Sequence, residues 1–401
     1  MMLTAQRKHI YRFFSLYFLF IGYTAVFWPF LTFYLMDMGV SATTIGMMSS
    51  TATGTAIIGS YLMGYINDRL QRFDLLVLVS FLATFGCMIL IENLSTGWLI
   101  FVIYVLYGFI ESPMTGIMDT WSIECAPREM GQYFGIIRSG GSLGYGILII
   151  LSGHIIGKNN FVDIKYLSYV VGLLVFLYMC YLSRSREVPK FYVTKTEKTA
   201  SRGRSAVWQD LKTLFQVQEY RSLIVICMLL QIPICIVSMF TPYVFETVGG
   251  GPAEHAMLLG VSALLEIPFF FLTPYLLSKY RSDTLIVVSS IAVVVKAGLF
   301  VVAKSPSLLM VSSLFSTIQF TVFYSGLRYK VSQVAPDHLR TMAQTTIMLF
   351  YHSIPGIVAG LGGGWMIDHL GVKISFAIVF CSLVVIIALL LGYLSRHRTN
   401  T

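Results

Sequence analysis

The sequence predicts an all-α membrane protein: twelve transmembrane helices in two six-helix bundles related by a pseudo-two-fold. Three observations lead there. Of 401 residues, 56% are hydrophobic and 12% are charged, against about 25% charged in a typical soluble domain. The apolar residues gather in runs of about 18 or more, the length a helix needs to cross a hydrocarbon core. One long polar stretch, residues 184–221, divides those runs six and six. These features exclude an ordinary soluble enzyme, a disordered chain and a nucleic-acid-binding domain.

Cutting the apolar runs at their charged or Gly/Pro-rich breaks places the first six spans at 13–36, 44–66, 73–92, 97–123, 133–157 and 163–183. The second six fall at 222–246, 254–278, 284–303, 306–327, 339–366 and 373–395. The shortest breaks are Lys279-Tyr-Arg-Ser-Asp283 and Lys304-Ser-Pro306. Arg7, Lys8 and Arg12 precede the first run, as in a signal peptide. Its apolar stretch is longer than an h-region and no small-x-small cleavage site follows, so it is read as a span. The domains expected are an N-terminal bundle over 1–183, a cytoplasmic linker over 184–221 and a C-terminal bundle over 222–401.

An even number of spans puts both termini on one side, and Lys and Arg decide which. With cytoplasmic termini, inner loops and tails hold 22 of the 28 basic residues. Outer loops hold Lys158, Lys165, Lys304 and Lys373, while Arg138 and Lys296 lie within spans. The net charge of +9 is thus mostly positive-inside topology in the cell membrane. Cys87, Cys125, Cys180, Cys227, Cys235 and Cys381 fall in or at the ends of spans and read as small buried hydrophobes without disulfides.

The linker should begin as a flexible basic segment. It ends in Ser205–Phe215, where Val207, Leu211, Leu214 and Phe215 recur at helical spacing. That pattern predicts an amphipathic helix lying on the inner leaflet. There is also a faint repeat. Ala126-Pro127 leads into a span ending in Ser152-Gly-His-Ile-Ile-Gly157, and Ala335-Pro336 leads into one ending in Gly362-Gly-Gly-Trp365 to Gly371. The offset is 209 residues at the start. Two similar six-span halves imply a transporter with its site near the midplane between them.

Charges inside spans are costly, about 2.5–3.5 kcal/mol each on insertion scales, so they are functional candidates. Span four holds Glu111 and Asp119, with Thr115 between them on one stripe. Span five holds Arg138, span eight Glu266 and span nine Lys296. Depth suggests the pairs Asp119–Arg138 and Glu266–Lys296, the second with less well matched depths. Three acids against two bases leave one acid without a fixed partner. Such a carboxyl takes up a proton in a low-dielectric interior, which makes Glu111 or Glu266 a candidate for proton coupling. His352 and His154 read more as satisfied polar contacts than as proton relays, and Gln231, Gln319 and Gln344 either line a polar cavity or bond between helices.

Between spans two and three, Gly64-Tyr-Ile-Asn-Asp-Arg-Leu-Gln-Arg72 resembles the loop signature of the major facilitator superfamily. Its Gly64 would allow close helix approach, Asp68 would cap or pair, and Arg69 and Arg72 add inner-face charge. The corresponding loop, Leu277 to Asp283, is degenerate. Asp119-Thr-Trp-Ser-Ile-Glu124 and Tyr133 to Gly146 are more specific. They resemble the lactose permease-like branch of oligosaccharide:proton symporters and the related nucleoside and phenylpropionate permeases. Tyr17-Phe18, Trp28-Pro-Phe30, Glu266-Ile-Pro268 and Arg340-Thr-Met-Ala-Gln344 extend the resemblance over most of the chain. It implies that Arg138 and a span-four acid bind substrate hydroxyls. The family acid aligns with Thr120, one residue from Asp119. It also implies that Tyr145 stacks on the substrate, where the sugar permease has Trp. Arg138, Ser142 and Tyr145 share one helix face, and a guanidinium fork suits hydroxyls or a carboxylate. The proton-coupling His and Glu of lactose permease correspond to Thr317 and Phe320 here, which puts a galactoside substrate in doubt.

The sequence therefore implies an alternating-access permease that imports a small polar solute with protons. A sugar or glycoside comes first, then a nucleoside or an aromatic acid. Sodium would use the same carboxylates. Proton-antiport efflux is a rival, but the Gly-rich span five lacks the Gly-Pro kink of antiporters. An enzyme is disfavoured because Gly140-Gly-Ser-Leu-Gly144 lies in a span rather than at a strand-turn-helix elbow. A sensor is disfavoured because no sizeable soluble output domain exists. The partners expected are a small-molecule substrate, protons and the lipid bilayer, with no cofactor, no metal and no nucleic acid, and the chain is expected to act as a monomer.

Overall fold

A computed structural model describes residues 2–70, 72–124, 134–157, 161–185, 188 and 204–398. The side chains of 2–6, 68, 204–207, 341 and 393–398 lie outside that description. The described residues form helices and no strands. Eleven helical stretches are long and apolar enough to cross a membrane: Arg7–Asp37, Phe73–Asn93, Gly97–Ile123, Phe134–Ile156, Phe161–Arg184, Gln218–Met239, Pro252–Lys279, Ser282–Val302, Pro306–Val334, Met342–Leu370 and Val372–Gly392. The expected second span, Ala42–Leu70, is a helix of 29 residues. It is long enough, but its many Ser, Thr and Gly residues make it less apolar than the rest.

Local chemistry sets the ends. Pro252 and Pro306 stand at first helical positions, where their missing N–H costs nothing. Span one is interrupted by a tight turn at Trp28–Phe30, which contains Pro29. Spans eleven and twelve are joined by Gly371 alone, at φ 79°, a left-handed conformation that glycine adopts without a Cβ clash. Wider π-type turns occupy Gln319–Phe323 and Leu349–Ser353 in spans ten and eleven. Such turns are frequent at functional sites.

Two elements extend beyond their expected limits. Span two continues to Leu70, so Gly64, Asp68 and Arg69 occupy its last turns rather than a loop. At 1.5 Å per residue the helix is about 43 Å long, more than a hydrocarbon core of about 30 Å, so its polar end projects from the apolar zone. Span ten continues to Val334, which brings Arg328 inside a helix.

Chain contacts divide the protein into two units, Met1–Val40 with Met48–Thr196, and Ser41–Met47 with Glu197–Thr401. In the first, spans one and five approach closely. A Cβ on Gly140 would collide with the backbone of Phe14, and one on Gly144 with the backbone of Phe18. Small residues give the helices that proximity. Around this seam Phe13 meets Trp121 edge-on at 5.3 Å, and both are buried. In the second unit, Asp368 accepts hydrogen bonds from the backbone N–H groups of Ala42 and Thr43 at 3.0 and 2.8 Å and from the Thr43 hydroxyl at 2.5 Å. This carboxylate caps the start of span two, which explains why residues 41–47 group with the second unit.

The expected amphipathic helix is present at Arg204–Gln216. Leu214 is buried, whereas Trp208 is exposed. Phe215 meets Tyr220 and Phe350 edge-on. The expected flexible start of the linker falls largely on 186–203, mostly outside the described residues. Cys125 also lies outside them; of the other five cysteines none is bonded to another, and Cys381 is exposed rather than buried.

Candidate functional site

The first unit assembles a charged group between the C-terminal part of span four and the first turns of span five. Arg138 Nη1 donates to Asp119 Oδ1 at 2.6 Å. The Tyr17 hydroxyl of span one donates to the same oxygen, and the Arg138 guanidinium lies 6.0 Å from the Tyr17 ring centroid. The Gly seam between spans one and five makes this possible by bringing Tyr17 beside Arg138. Tyr17 is fully buried, while the Arg138 and Asp119 side chains are 45% and 31% exposed. The pair is therefore held by protein on one side and open on the other. That suits ligand exchange better than a permanent lock, and the exposure limits its worth to stability.

Thr120 Oγ1 bonds back to the Gly116 carbonyl at 2.9 Å, leaving Asp119 as the partner of Arg138. Ser142 and Tyr145 continue along span five, one and two turns beyond Arg138, and both are half-buried. Glu111 lies two turns from Asp119 and makes no hydrogen bond or ion pair among the described residues.

In the second unit the expected Glu266–Lys296 pair does not form. Neither group makes an ion pair or a hydrogen bond among the described residues, and Lys296 Nζ instead lies 6.0 Å from the Phe300 ring centroid. Their unequal depths account for this: Lys296 stands in the outer half expected for span nine, Glu266 near the middle of span eight. Thr317, at one of the family's proton-coupling positions, is buried and bonds to the Ser262 and Ser313 carbonyls at 3.0 and 3.1 Å.

A different group stands out there. Arg328 donates to the Gln344 amide oxygen at 3.2 Å and to the Tyr324 hydroxyl at 3.1 Å. Gln344 donates back to the Arg328 carbonyl at 2.6 Å. Tyr324 also meets Tyr351 edge-on at 5.6 Å, next to His352. Arg328 follows Asp119 by 209 residues, the offset of the sequence repeat.

The signature residues behave unequally. A Cβ on Gly64 would meet nothing within 4 Å, so Gly64 does not serve close helix approach. The Asp68 side chain lies outside the described residues. Arg69 is exposed and sits 4.9 Å from the Tyr65 ring centroid. Arg72 grips Asp74 with two nitrogens, at 3.3 and 3.0 Å, and Ser183 donates to Asp74 at 2.7 Å. The hydrogen bond and charge of Asp74 raise the Arg72 guanidinium above its ordinary value. The loop that looks degenerate keeps this arrangement 209 residues on: Arg281 and Lys330 lie 3.7 and 3.0 Å from Asp283.

Sequence reasoning missed Tyr17 as a site residue, together with Asp74, Arg328, Asp368 and the buried Glu92. Arg328 and Glu92 were legible only as charges at the expected span ends. The 209-residue offset applied to Asp119 would have found Arg328. Among the described residues no group of three or more His, Cys, Asp or Glu side chains could hold a metal.

Residues 10–378 match the MFS_1 like family. The chain belongs to that family, within the major facilitator superfamily. It is a multi-pass membrane transporter by that membership. No curated protein matches its sequence. Its fold is similar to that of the nucleoside transporter NupG, with a TM-score of 0.80 at 16% identity, covering 96% of this chain and 98% of that one. It is also similar to a D-xylose-proton symporter, with a TM-score of 0.69 at 16% identity, covering 96% and 97%. A third similar structure is an inward-facing bacterial homologue of the lysosomal transporter Spinster, with a TM-score of 0.71 at 12% identity, covering 96% of each chain. At these identities the likeness shows the shared fold. For the transporter, the expected fold class and superfamily are thus established.

Proposed function

We propose that this major facilitator transporter is a proton-coupled symporter that imports a small polar solute, with a sugar or glycoside as the first candidate. The observation that carries the reading is the half-open Tyr17–Asp119–Arg138 group. A charged acid–base pair in a membrane span is costly to retain, and its open side offers both an acceptor and a planar donor fork to hydroxyls. Ser142 and Tyr145 extend the same face with a hydroxyl and a ring. Glu266 and Glu111, each without a charged partner, are candidates for the proton. Coupling requires that substrate and proton affinities depend on each other. The termini face the cytoplasm in this reading, as the Lys and Arg distribution requires, and the membrane is the cell membrane.

The second reading is uptake of a nucleoside or an aromatic acid. Arg328, without a carboxylate partner among the described residues and beside Tyr324, favours the aromatic acid, whose ring and acidic group it would meet together. The test is internal pH in proteoliposomes, followed with a trapped dye while sugars, nucleosides and aromatic acids are added outside. Acidification with one class, absent in Arg138→Ala, is the expected outcome and names the substrate class. Labelled-substrate uptake that proceeds without any pH change refutes proton coupling.

A further inference from the structure

We propose that the Glu92 carboxyl is a proton-binding site inside the first unit, separate from the Asp119–Arg138 pair. Its role in transport rests on the proton coupling proposed above; its existence as a site does not. Glu92 stands in the last turn of span three and is fully buried. Neither carboxyl oxygen has a hydrogen bond of good geometry among the described residues, and the same holds for the buried hydroxyls of Tyr23 and Ser168, although Ser168 and Tyr169 lie within reach of the carboxyl and Ser168 within reach of Tyr23. These orphans are neighbours. Ser168 and Tyr169 of span six flank the carboxyl, and Tyr23 of span one faces both Glu92 and Ser168.

Among the described residues, the other titratable groups around this cluster are Tyr34 of span one, Cys87 of span three, Tyr107 of span four and Lys165 of span six. Lys165 makes no ion pair with Glu92; its Nζ lies 5.6 Å from the Tyr34 ring centroid. The Tyr169 hydroxyl is engaged by Asn93 Nδ2 at 2.6 Å.

A fully buried carboxylate without a partner is the costliest state a side chain can adopt, and neutral hydroxyls left unpaired add to that cost. One proton removes the buried charge. Bound to Glu92, it makes the carboxyl a donor to one hydroxyl and leaves its second oxygen to accept from another, since each hydroxyl can donate and accept. A hard metal cation would want about six oxygens or more. The described side chains of the cluster offer five, two from the carboxyl and one each from Ser168, Tyr169 and Tyr23. On release the O–H bond of the acid breaks and the proton passes to water. Lys165, one turn before Tyr169 on span six, is then the cation that can turn from Tyr34 to the carboxylate.

The test is pH-difference infrared spectroscopy of the full chain in lipid. A carboxylic-acid carbonyl band that is lost in Glu92→Gln and shifted in Ser168→Ala is the expected result. Identical bands in wild type and Glu92→Gln at every pH overturn the site, as does a band that responds to sodium at constant pH. Glu92→Asp, which keeps an acid, serves if the Gln variant does not fold. In proteoliposomes, Glu92→Gln should retain substrate counterflow and lose acid-driven accumulation by tenfold or more. Wild-type accumulation in the variant removes Glu92 from coupling. Proton-free uptake by the wild type refutes the symport reading, while the band still decides the site.

Discussion

Positions 119 and 328 are related by the same offset that relates the two halves of the sequence, yet they carry opposite charge. In the first unit Asp119 is neutralised by Arg138 and fixed by the Tyr17 hydroxyl. In the second, Arg328 is held by an amide and a phenol, which position the guanidinium and leave its charge in place. The difference separates two jobs. A neutralised pair with an open side can exchange one partner for substrate hydroxyls at little net cost. A cation held by neutral groups attracts an anion and gains nothing comparable from a neutral solute. By contrast, the Arg-x-Asp ends at 72–74 and 281–283 keep the same charges in both units, with Asp74 gripped by Arg72 and Asp283 held mainly by Lys330, as expected where the task is to hold helix ends together.

The largest test of this contrast is Arg138→Ala. It removes the fork and leaves Asp119 in a span with only Tyr17 as partner. A charged hydrogen bond is worth about 1.5–3 kcal/mol, so substrate uptake should fall by about 100-fold. Arg138→Lys should not restore it, because an ammonium cannot reproduce the fork. Uptake within a few-fold of wild type for either variant would reduce the pair to a helix lock.

Arg328→Gln comes next. Initial-rate measurements should show KM raised about tenfold, the equivalent of about 1.4 kcal/mol, for an acidic solute and unchanged for a neutral sugar. An equal rise for both would mean that Arg328 acts through the packing of spans ten and eleven, and the contrast between the units would collapse.

Tyr17→Phe is the smallest of the three. It removes one hydrogen bond to Asp119 and keeps the ring, a loss of about 1 kcal/mol. KM should rise about fivefold with the thermal midpoint nearly unchanged. A large fall in the midpoint instead would assign Tyr17 to the Gly seam rather than to the site.

The architecture was largely legible in the sequence because apolar runs and their breaks are local properties, and a helix in lipid must satisfy its own backbone. The Asp119–Arg138 pair was legible too, since adjacent spans at matched depth leave one geometry. Glu266 and Lys296 show the limit of that argument: adjacency without matched depth left them apart. Tyr17 was not legible as the third member, because only the close approach of spans one and five at Gly140 and Gly144 brings it to Asp119. Glu92 was invisible for a related reason. It reads as the polar last residue of a span, and only the packing of spans one and six around it makes it a buried carboxyl without a charged partner among the described residues. The sequence by itself determined the all-helical membrane class, the approximate limits of the spans and which residues carry charge inside them. The tertiary structure decided which of those charges meet. That depends on the rotation and depth of each helix against its neighbours, and hydropathy along one chain does not encode them.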